Sequence, residues 1–214
     1  MKKSLILLLP LMLMLTARAV TKDEALSTAQ MLTGANAVLI DSEEEDGVYE
    51  FAFDGGSVRY DVDVLAMNGA VLEFETTYKG VPAAEEFTLS ETGDQSIALE
   101  RYPGSTFDYL VSERDDGSAV YEVFIRTENG APVAVTLSAE DGALVRTQLY
   151  PAATGVLPAS EIARIAEVKS EGERIGSLEL SYGDRGYDYE GSAGQFDFEI
   201  DAVSGNIKEW EADD

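Results

Sequence analysis

The clearest structural signal in the chain is the run Phe196-Asp197-Phe198-Glu199-Ile200-Asp201-Ala202-Val203-Ser204-Gly205. Its apolar and acidic residues alternate, and the alternation ends close to a Ser-Gly pair. Successive side chains of a β-strand point to opposite faces, so the run predicts a strand with one buried face and one solvated face. Glycine adopts the positive φ angle of a tight hairpin without steric cost, so the Ser-Gly pair predicts the turn after the strand.

Two short patterns recur in the same order along the chain, which indicates an internal repeat. The first is a Tyr-Glu pair, found in Val48-Tyr49-Glu50, Val120-Tyr121-Glu122 and Tyr189-Glu190. The second is Ala-x-x-Gly, found in Ala66-Met67-Asn68-Gly69, Ala139-Glu140-Asp141-Gly142 and Ala202-Val203-Ser204-Gly205. Their common order predicts three copies of one structural unit.

Each copy also carries three dipeptides of the kind that form two-residue hairpin turns. They are Asp46-Gly47, Gly55-Gly56, Asn68-Gly69, Asp116-Gly117, Asn129-Gly130, Asp141-Gly142, Arg185-Gly186, Ala193-Gly194 and Ser204-Gly205. Three turns divide four short strands, so each copy predicts a four-stranded antiparallel meander.

A helix is predicted before the strands of each copy. In the first copy Thr21 and Glu24 form a capping box, which satisfies amides at a helix start, and Gly34 ends the helix. In the third copy Ser160 is the expected N-cap, after Pro158. The second copy has the weakest signal, because Gly93 and Pro103 disfavour a long helix. A short helix over residues 96–101 is therefore predicted there.

These patterns predict an α+β fold made of tandem repeats, each with one helix packed on a four-stranded antiparallel sheet. The predicted units span residues 20–79, 80–152 and 156–214, and the second is the divergent one. Units of this size are at the lower limit for independent folding, so we expect the three to pack together.

Residues 1–19 have the pattern of a secretory signal peptide. Lys2 and Lys3 precede an apolar run over residues 5–15, and Ala17-Arg18-Ala19 has the form of a cleavage site. The alternative is a retained membrane anchor, but the run is interrupted by Pro10 and is shorter than the roughly 20 residues of a spanning helix. The prediction is a protein exported to the cell envelope or secreted, with no membrane attachment after cleavage.

The composition excludes several classes of function. The chain has 214 residues, 41 of them acidic and 15 basic, and its formal net charge is -26. This charge repels phosphate backbones and anionic lipid, so nucleic acid is not an expected partner. The absence of histidine and cysteine excludes Ser-His-Asp catalysis, Cys/His zinc sites and disulfides.

Two acidic runs are candidates for a calcium site, since calcium takes carboxylate oxygens. They are Glu43-Glu44-Glu45-Asp46 and Asp115-Asp116. Neither has the spacing of an EF-hand loop, and both precede a turn glycine, so solvated hairpin tips are the favoured interpretation. Asp61 and Asp63 lie on one predicted strand face, as a carboxylate pair of a glycosidase would, but strand alternation alone produces such pairs.

Most of the 18 tyrosines and phenylalanines fall in the apolar rows of predicted strands and are expected in the core. Tyr102, Tyr109 and Tyr187 are candidates for exposed residues in a partner groove, because tyrosine is favoured in protein interfaces. Trp210 and Phe74 occupy equivalent positions after the third hairpin of their copies, and both are expected to pack in the core.

A helix followed by an antiparallel meander that ends in Asp201-Ala202-x-Ser204-Gly205-x-Ile207 resembles the PepSY domain, a cystatin-like fold. The third copy matches that family pattern best. In the second copy Ser138 replaces the aspartate before the alanine, and the first copy also lacks that aspartate. Together the three copies cover nearly all of the chain after the predicted signal peptide.

The resemblance implies a non-enzymatic module of exported bacterial proteins, which occurs in metalloprotease propeptides and therefore points to protease inhibition or regulation. The predicted partner is a protein, such as a secreted protease, bound through surface complementarity. The alternative is an extracytoplasmic structural or sensory protein that binds a small ligand or calcium weakly. The family has no shared catalytic residues, so no catalytic, cofactor-binding or metal-binding residue is assigned, and no cofactor is expected.

Overall fold

A computed structural model describes residues 18–115, 117–183 and 185–212. The predicted signal peptide falls almost wholly on residues 1–17, outside the described residues. None of the helices within the described ranges is long and apolar enough to cross a membrane.

The described chain runs three times through one helix followed by four strands. The first set is α1 (Lys22–Thr33), β1 (Val38–Glu45), β2 (Val48–Asp54), β3 (Val58–Leu65) and β4 (Val71–Tyr78). The second set is α2 (Glu91–Arg101), β5 (Thr106–Asp115), β6 (Ser118–Arg126), β7 (Pro132–Ser138) and β8 (Leu144–Leu149). The third set is α3 (Ala159–Lys169), β9 (Ile175–Gly183), β10 (Gly186–Ala193), β11 (Phe196–Asp201) and β12 (Ile207–Ala212).

The strands form two antiparallel sheets, which confirms an α+β fold with large antiparallel sheets and few helices. One sheet has eight strands in the order β1-β2-β3-β4-β8-β7-β6-β5, and the other has four in the order β12-β11-β10-β9. The prediction of a separate four-stranded sheet for each of the first two sets was therefore wrong. β4 pairs with β8, with Phe74 opposite Leu149. This pairing satisfies backbone groups that two free edges would leave open.

The capping box of α1 is present as predicted. The Glu24 amide donates to Thr21 Oγ1 at 3.3 Å, and the Thr21 amide donates to Glu24 Oε2 at 2.8 Å. Gly34 follows the helix with φ of 86°. The second residue of every predicted hairpin dipeptide also has positive φ, from 62° at Gly194 to 122° at Gly186. Local turn chemistry therefore sets the ends of these elements.

Two predicted helix starts were wrong. α2 begins at Glu91 rather than near residue 96, with Ser90 as N-cap and Gly93 in the first turn. The amides of a first helical turn have no intrahelical hydrogen-bond partner. Glycine therefore destabilises the helix less in the first turn than in the helix interior. α3 follows Pro158, and Ser160 lies inside its first turn. The N-terminal amides of α3 are instead capped from a distance by Asp108 of β5.

The helices divide between the two sheets. α1 packs on Phe51, Phe53, Val62 and Val64, and α2 packs on a second cluster of residues from β6 and β7. Phe74 and Leu149, directly opposite in the sheet, join these two clusters respectively, so both helices cover the same face. α3 packs between the four-stranded sheet and the other face of the large sheet, where Phe124, Ala134 and Tyr150 contribute to one shared core. Trp210 packs against that core, as expected.

Candidate functional site

Carboxylates form a row across the first four strands, on the sheet face opposite α1. Glu43, Glu50, Asp63 and Glu73 are direct cross-strand neighbours on β1 to β4. Like charges directly opposite one another on a sheet are destabilising. A sequence that keeps four of them together therefore gives up stability at this face.

The four-stranded sheet carries a second row of the same kind. Glu179, Glu190, Glu199 and Glu209 are direct cross-strand neighbours on β9 to β12. They alternate with the apolar residues that pack beneath α3, so they lie on the sheet face opposite that helix. The glutamate of the repeated Tyr-Glu pair is in each row: Glu50 in the first and Glu190 in the second.

The middle set of strands has a neutralised row at the equivalent place. There Val111, Glu122, Thr136 and Arg146 are the cross-strand neighbours. Arg146 Nη2 lies 3.7 Å from Glu122 Oε1, and the Glu122 side chain is almost fully buried. The repeated glutamate is thus paired with a cation in the middle set and surrounded by other carboxylates in the outer two.

The candidate site is a cleft of about 570 Å³ between the two sheets, called the acidic cleft below. The large sheet contributes Glu113, Arg114, Glu122 and Arg146. The small sheet contributes Ser177, Leu178, Glu179, Glu190, Gly191, Asp197, Phe198, Glu199, Glu209 and Glu211. Eight carboxylates and two arginines line it, so its field favours a cationic ligand.

A hydrogen-bonded junction joins the two sheets beside the acidic cleft. Gln148 Nε2 of β8 donates to Glu73 Oε1 of β4 at 3.0 Å and to Glu179 Oε1 of β9 at 3.4 Å. The Tyr187 hydroxyl of β10 donates to the Leu72 carbonyl of β4 at 2.8 Å. These bonds fix the position of the small sheet over the large one.

Two carboxyls on the large sheet hold their protons far more strongly than usual. Burial, together with the nearby charges of Glu50, Asp61 and Glu75, raises the pKa of Asp63 to about 7. Burial also raises the pKa of Glu73 to about 8, against the opposing effect of the Gln148 hydrogen bond. Both groups therefore titrate around neutral pH, at a position that joins the sheets.

A buried tyrosine lies against the same carboxylates. Burial, and then the charges of Glu73, Glu179 and Glu122, raise the pKa of the Tyr150 hydroxyl well above its ordinary value. Among the described residues this hydroxyl finds no hydrogen-bond partner. Its ring meets the Tyr187 ring edge to face, with 6.4 Å between centroids. The junction is therefore polar but incompletely hydrogen-bonded.

The predicted calcium candidates do not meet at this site. Glu43, Glu44 and Glu45 are exposed at the end of β1, and Asp46 forms the following turn with φ of 45°, as expected for a hairpin tip. The Asp115 side chain and Asp116 lie outside the described residues. Within the described ranges, no group of three or more acidic residues is placed to hold a metal ion.

The other sequence candidates have varied positions. Tyr187 was expected to be exposed, which was wrong: it is buried between the sheets, because its ring packs on Tyr150 and Tyr182. Tyr109 is half-buried, with its hydroxyl donating to Glu167 Oε1 at 3.3 Å. Tyr102 packs at the edge of the α2 cluster.

Asp61 and Asp63 do share a sheet face, as predicted. They line a separate shallow hollow with Arg59, Glu73, Glu75 and Thr77. Asp61 pairs with Arg59, at 2.7 Å between carboxylate and guanidinium. This ion pair accounts for Asp61, and Asp63 belongs to the cross-strand row.

The residues that form the site were not predicted from the sequence. Glu122, Arg146, Gln148 and Glu179 come from both sheets, and the register that unites them depends on the pairing of β4 with β8. One signal was present: the repeated Tyr-Glu pair marks Glu50, Glu122 and Glu190 as equivalent positions.

Residues 95–148 match a family model, PepSY, described as the peptidase propeptide and YPEB domain. The match runs from within α2 to β8, and the predicted resemblance to the PepSY domain is confirmed for that segment. The best sequence pattern was in the third copy, whereas the model matches the divergent second copy.

One curated protein and two solved structures are similar to the chain over larger parts of its length. The uncharacterized protein YkoJ from Bacillus subtilis (strain 168) is 27% identical over 133 residues, which are 61% of this chain and 75% of the relative. The YpeB C-terminal domain of Bacillus megaterium is 16% identical, with a TM-score of 0.36, over 91% of this chain and 98% of that one. Protein CD1622 from Clostridium difficile 630 is 15% identical, with a TM-score of 0.32, over 59% of this chain and 94% of that one.

Proposed function

We propose that the protein is an exported, non-enzymatic module of three PepSY-like units whose acidic cleft binds a basic segment of a protein partner. The observation that carries the proposal is the cleft itself, which gathers eight carboxylates and two arginines between two sheets. A net charge of -26 would steer a basic partner toward it. Arg114 and Arg146 would orient the ligand, because their positive charges interrupt the row of carboxylates that lines the cleft.

The partner class that we favour is an extracytoplasmic protease, which the module inhibits or regulates. The description of the matched family as a peptidase propeptide domain supports this choice. The signal-peptide pattern of residues 1–19 supports export, and the units would then span residues 20–79, 80–152 and 156–214. A propeptide-like module needs no catalytic group of its own, because it acts by occupying a surface of the protease.

The test is capture of a partner by wild-type protein and by matched variants. Protein expressed from the whole chain is immobilised through a C-terminal tag and exposed to the culture supernatant of the source organism. The cleft variant Glu190→Gln/Glu199→Gln is compared with Glu100→Gln/Glu140→Gln, which removes the same charge from exposed positions outside the cleft.

The expected result is a secreted protease with a basic surface, retained by wild type and by the exposed-site variant and lost by the cleft variant. Purified protease should then lose activity on addition of wild-type protein. Equal retention by both double variants would contradict the role of the cleft. A captured protein without protease activity would contradict the partner class and leave the cleft assignment standing.

A second candidate function is binding of a small cationic ligand in an extracytoplasmic sensory or structural protein. The unpartnered Tyr150 hydroxyl beside Glu73, Glu122 and Glu179 favours it, because a ligand donor or a water could complete that junction. A polyamine that raises the melting temperature of wild type, but not of Tyr150→Phe, would support this function. An equal rise in both proteins would count against it.

A further inference from the structure

β1 is the outer strand of the large sheet, and in the described sheet order only β2 lies beside it. An edge strand presents backbone N–H and C=O groups that a further strand can pair with. β1 is eight residues long and has one bulge, between Leu39 and Asp41, after which the five residues from Asp41 to Glu45 keep a regular register with β2. It is therefore a surface on which an extended segment can bind.

The first half of β1 is unusually apolar for an exposed position. Val38 is 64% exposed and Ile40 is 55% exposed, and Leu39 lies between them. Met31 and Leu32, in the last turn of α1, are exposed as well. Five of the twelve exposed large apolar side chains in the described residues thus fall within ten consecutive positions. Such a concentration is typical of a contact surface.

The second half of β1 is acidic and equally exposed. Asp41, Glu43, Glu44 and Glu45 follow the apolar residues, so the strand changes from apolar to anionic along its length. A segment that pairs with β1 must therefore have an apolar part and a basic part in a defined order. The order gives the surface a direction as well as a composition.

One lysine occupies the middle of this edge. Lys22 Nζ of α1 donates to the Ser42 carbonyl at 3.1 Å, and the Ser42 amide donates to Asp41 Oδ1 at 2.8 Å. Both backbone groups of Ser42 are thus bonded to side chains, which places them on the outer side of the strand. An incoming strand would compete with Lys22 for this carbonyl. A lysine side chain at an edge strand is a known protection against unwanted pairing, and here Lys22 provides it from the neighbouring helix.

We propose that β1 binds an extended segment of a partner protein by strand addition, antiparallel to β1, with its basic residues opposite residues 43–45 and its apolar residues opposite residues 38–40. All strand pairs described in this chain are antiparallel, and antiparallel pairing is slightly the more stable. Main-chain hydrogen bonds supply affinity and the apolar and acidic halves supply specificity. In chain order, the bound segment is basic first and apolar second.

A second copy of the chain does not fit this edge. Antiparallel self-pairing would set Val38 and Ile40 against Glu43 and Glu45, and parallel self-pairing would set the carboxylates opposite one another. The β1 surface is also separate from the acidic cleft, since residues 38–45 do not line the cleft in the described part of the chain. The inference therefore stands whether or not the cleft binds a protease.

The test uses two dye-labelled synthetic peptides of identical composition. In the forward peptide lysines precede valines, and in the reversed peptide valines precede lysines. Fluorescence anisotropy measures the binding of each to protein expressed from the whole chain. The forward peptide should bind about tenfold more tightly, the equivalent of about 1.4 kcal/mol. Equal affinities would overturn the proposal, since both peptides have the same charge.

Variants of the protein distinguish peptide binding at β1 from general electrostatic attraction between a basic peptide and an acidic protein. Ile40→Ser should weaken the forward peptide severalfold, whereas Val203→Ser, at a similarly exposed apolar residue in a distant turn, should not. Lys22→Met should strengthen binding, because it frees the Ser42 carbonyl and removes a positive charge. Unchanged binding in Lys22→Met, or sedimentation showing a dimer that Ile40→Ser dissociates, would overturn the assignment.

Discussion

Glu73 and Glu179, which belong to different sheets, accept hydrogen bonds from the same Gln148 side-chain nitrogen, at 3.0 and 3.4 Å. One amide thus separates two carboxylates that would otherwise repel each other. The arrangement couples the protonation of Glu73 to the contact between the sheets. Because Glu179 also lines the acidic cleft, the junction sets the shape of the proposed binding site.

Stability should fall as the pH rises from about 4 to about 8. The folded pKa values of Asp63 and Glu73 are about 7 and about 8, above the ordinary values of 3.8 and 4.5. Below the ordinary values both carboxyls are protonated in either state and contribute no difference. Between the ordinary and folded values, the unfolded chain loses protons that the folded protein keeps, so the free energy of unfolding decreases with pH.

Thermal unfolding of Glu73→Gln tests this interpretation. Wild type should lose several degrees of melting temperature across that range, and Glu73→Gln should lose clearly fewer. Glu140→Gln is the control, because it removes the same charge from an exposed turn. If both variants flattened the pH profile equally, general charge repulsion rather than the buried row would be the cause.

Gln148→Leu should destabilise the protein by about 1–3 kcal/mol, since the partly buried Glu73 and the exposed Glu179 would lose their shared donor. The loss should be larger at pH 8.5 than at pH 5.5, because Glu73 is ionised to a greater extent at the higher pH and an ionised carboxylate loses more without its donor. Urea unfolding at the two pH values measures the difference. Equal losses at both would show that Gln148 acts only by filling space.

Asp108→Ala should destabilise α3 by about 1–2 kcal/mol, the cost of losing a strong N-cap. Asp108 accepts hydrogen bonds from the Ala159 amide at 2.8 Å, the Ser160 amide at 3.2 Å and the Ser160 hydroxyl at 2.6 Å. Asp108→Asn keeps one acceptor oxygen and should retain part of this stability. Circular dichroism on heating checks both variants, and identical melting of Asp108→Ala and wild type would refute the cap.

Calcium and magnesium should raise the melting temperature by similar small amounts. The acidic rows run across strands, and no group of three or more acidic residues in the described ranges is placed to hold a metal ion. Divalent cations would then act mainly by screening a net charge of -26. A rise specific to calcium, saturating at micromolar concentration, would instead reveal a dedicated site.

Local features of this fold could be predicted from the sequence and long-range ones could not. The capping box at Thr21 and the positive φ of Gly205 depend on neighbouring residues, so short patterns identified them. The pairing of Phe74 with Leu149 joins positions 75 residues apart, and the choice of partner depends on which edges remain free. Tyr187 was misjudged for the same reason, because the surface that covers it comes from another part of the chain.

The proposed site likewise has local features that could be predicted from the sequence and long-range features that could not. Strand alternation placed Asp61 and Asp63 on one face, and the repeated Tyr-Glu pair marked Glu190. The acidic cleft needs the packing of one sheet against the other, which no short pattern encodes. Its location therefore became visible only with the two sheets in place.

Titration with a dye-labelled oligoarginine peptide, comparing Glu190→Gln/Glu199→Gln with Glu100→Gln/Glu140→Gln, tests directly whether the acidic cleft is a binding site. The two variants have the same net charge and differ in where the carboxylates are removed, and the cleft variant also loses the ion pair between Glu199 and Lys208 Nζ, at 2.9 Å. If the cleft binds basic segments, the cleft variant loses about tenfold in affinity and shows a shallower salt dependence, and the exposed-site variant stays close to wild type. Equal affinities and equal salt dependence in the two variants would contradict the proposed function.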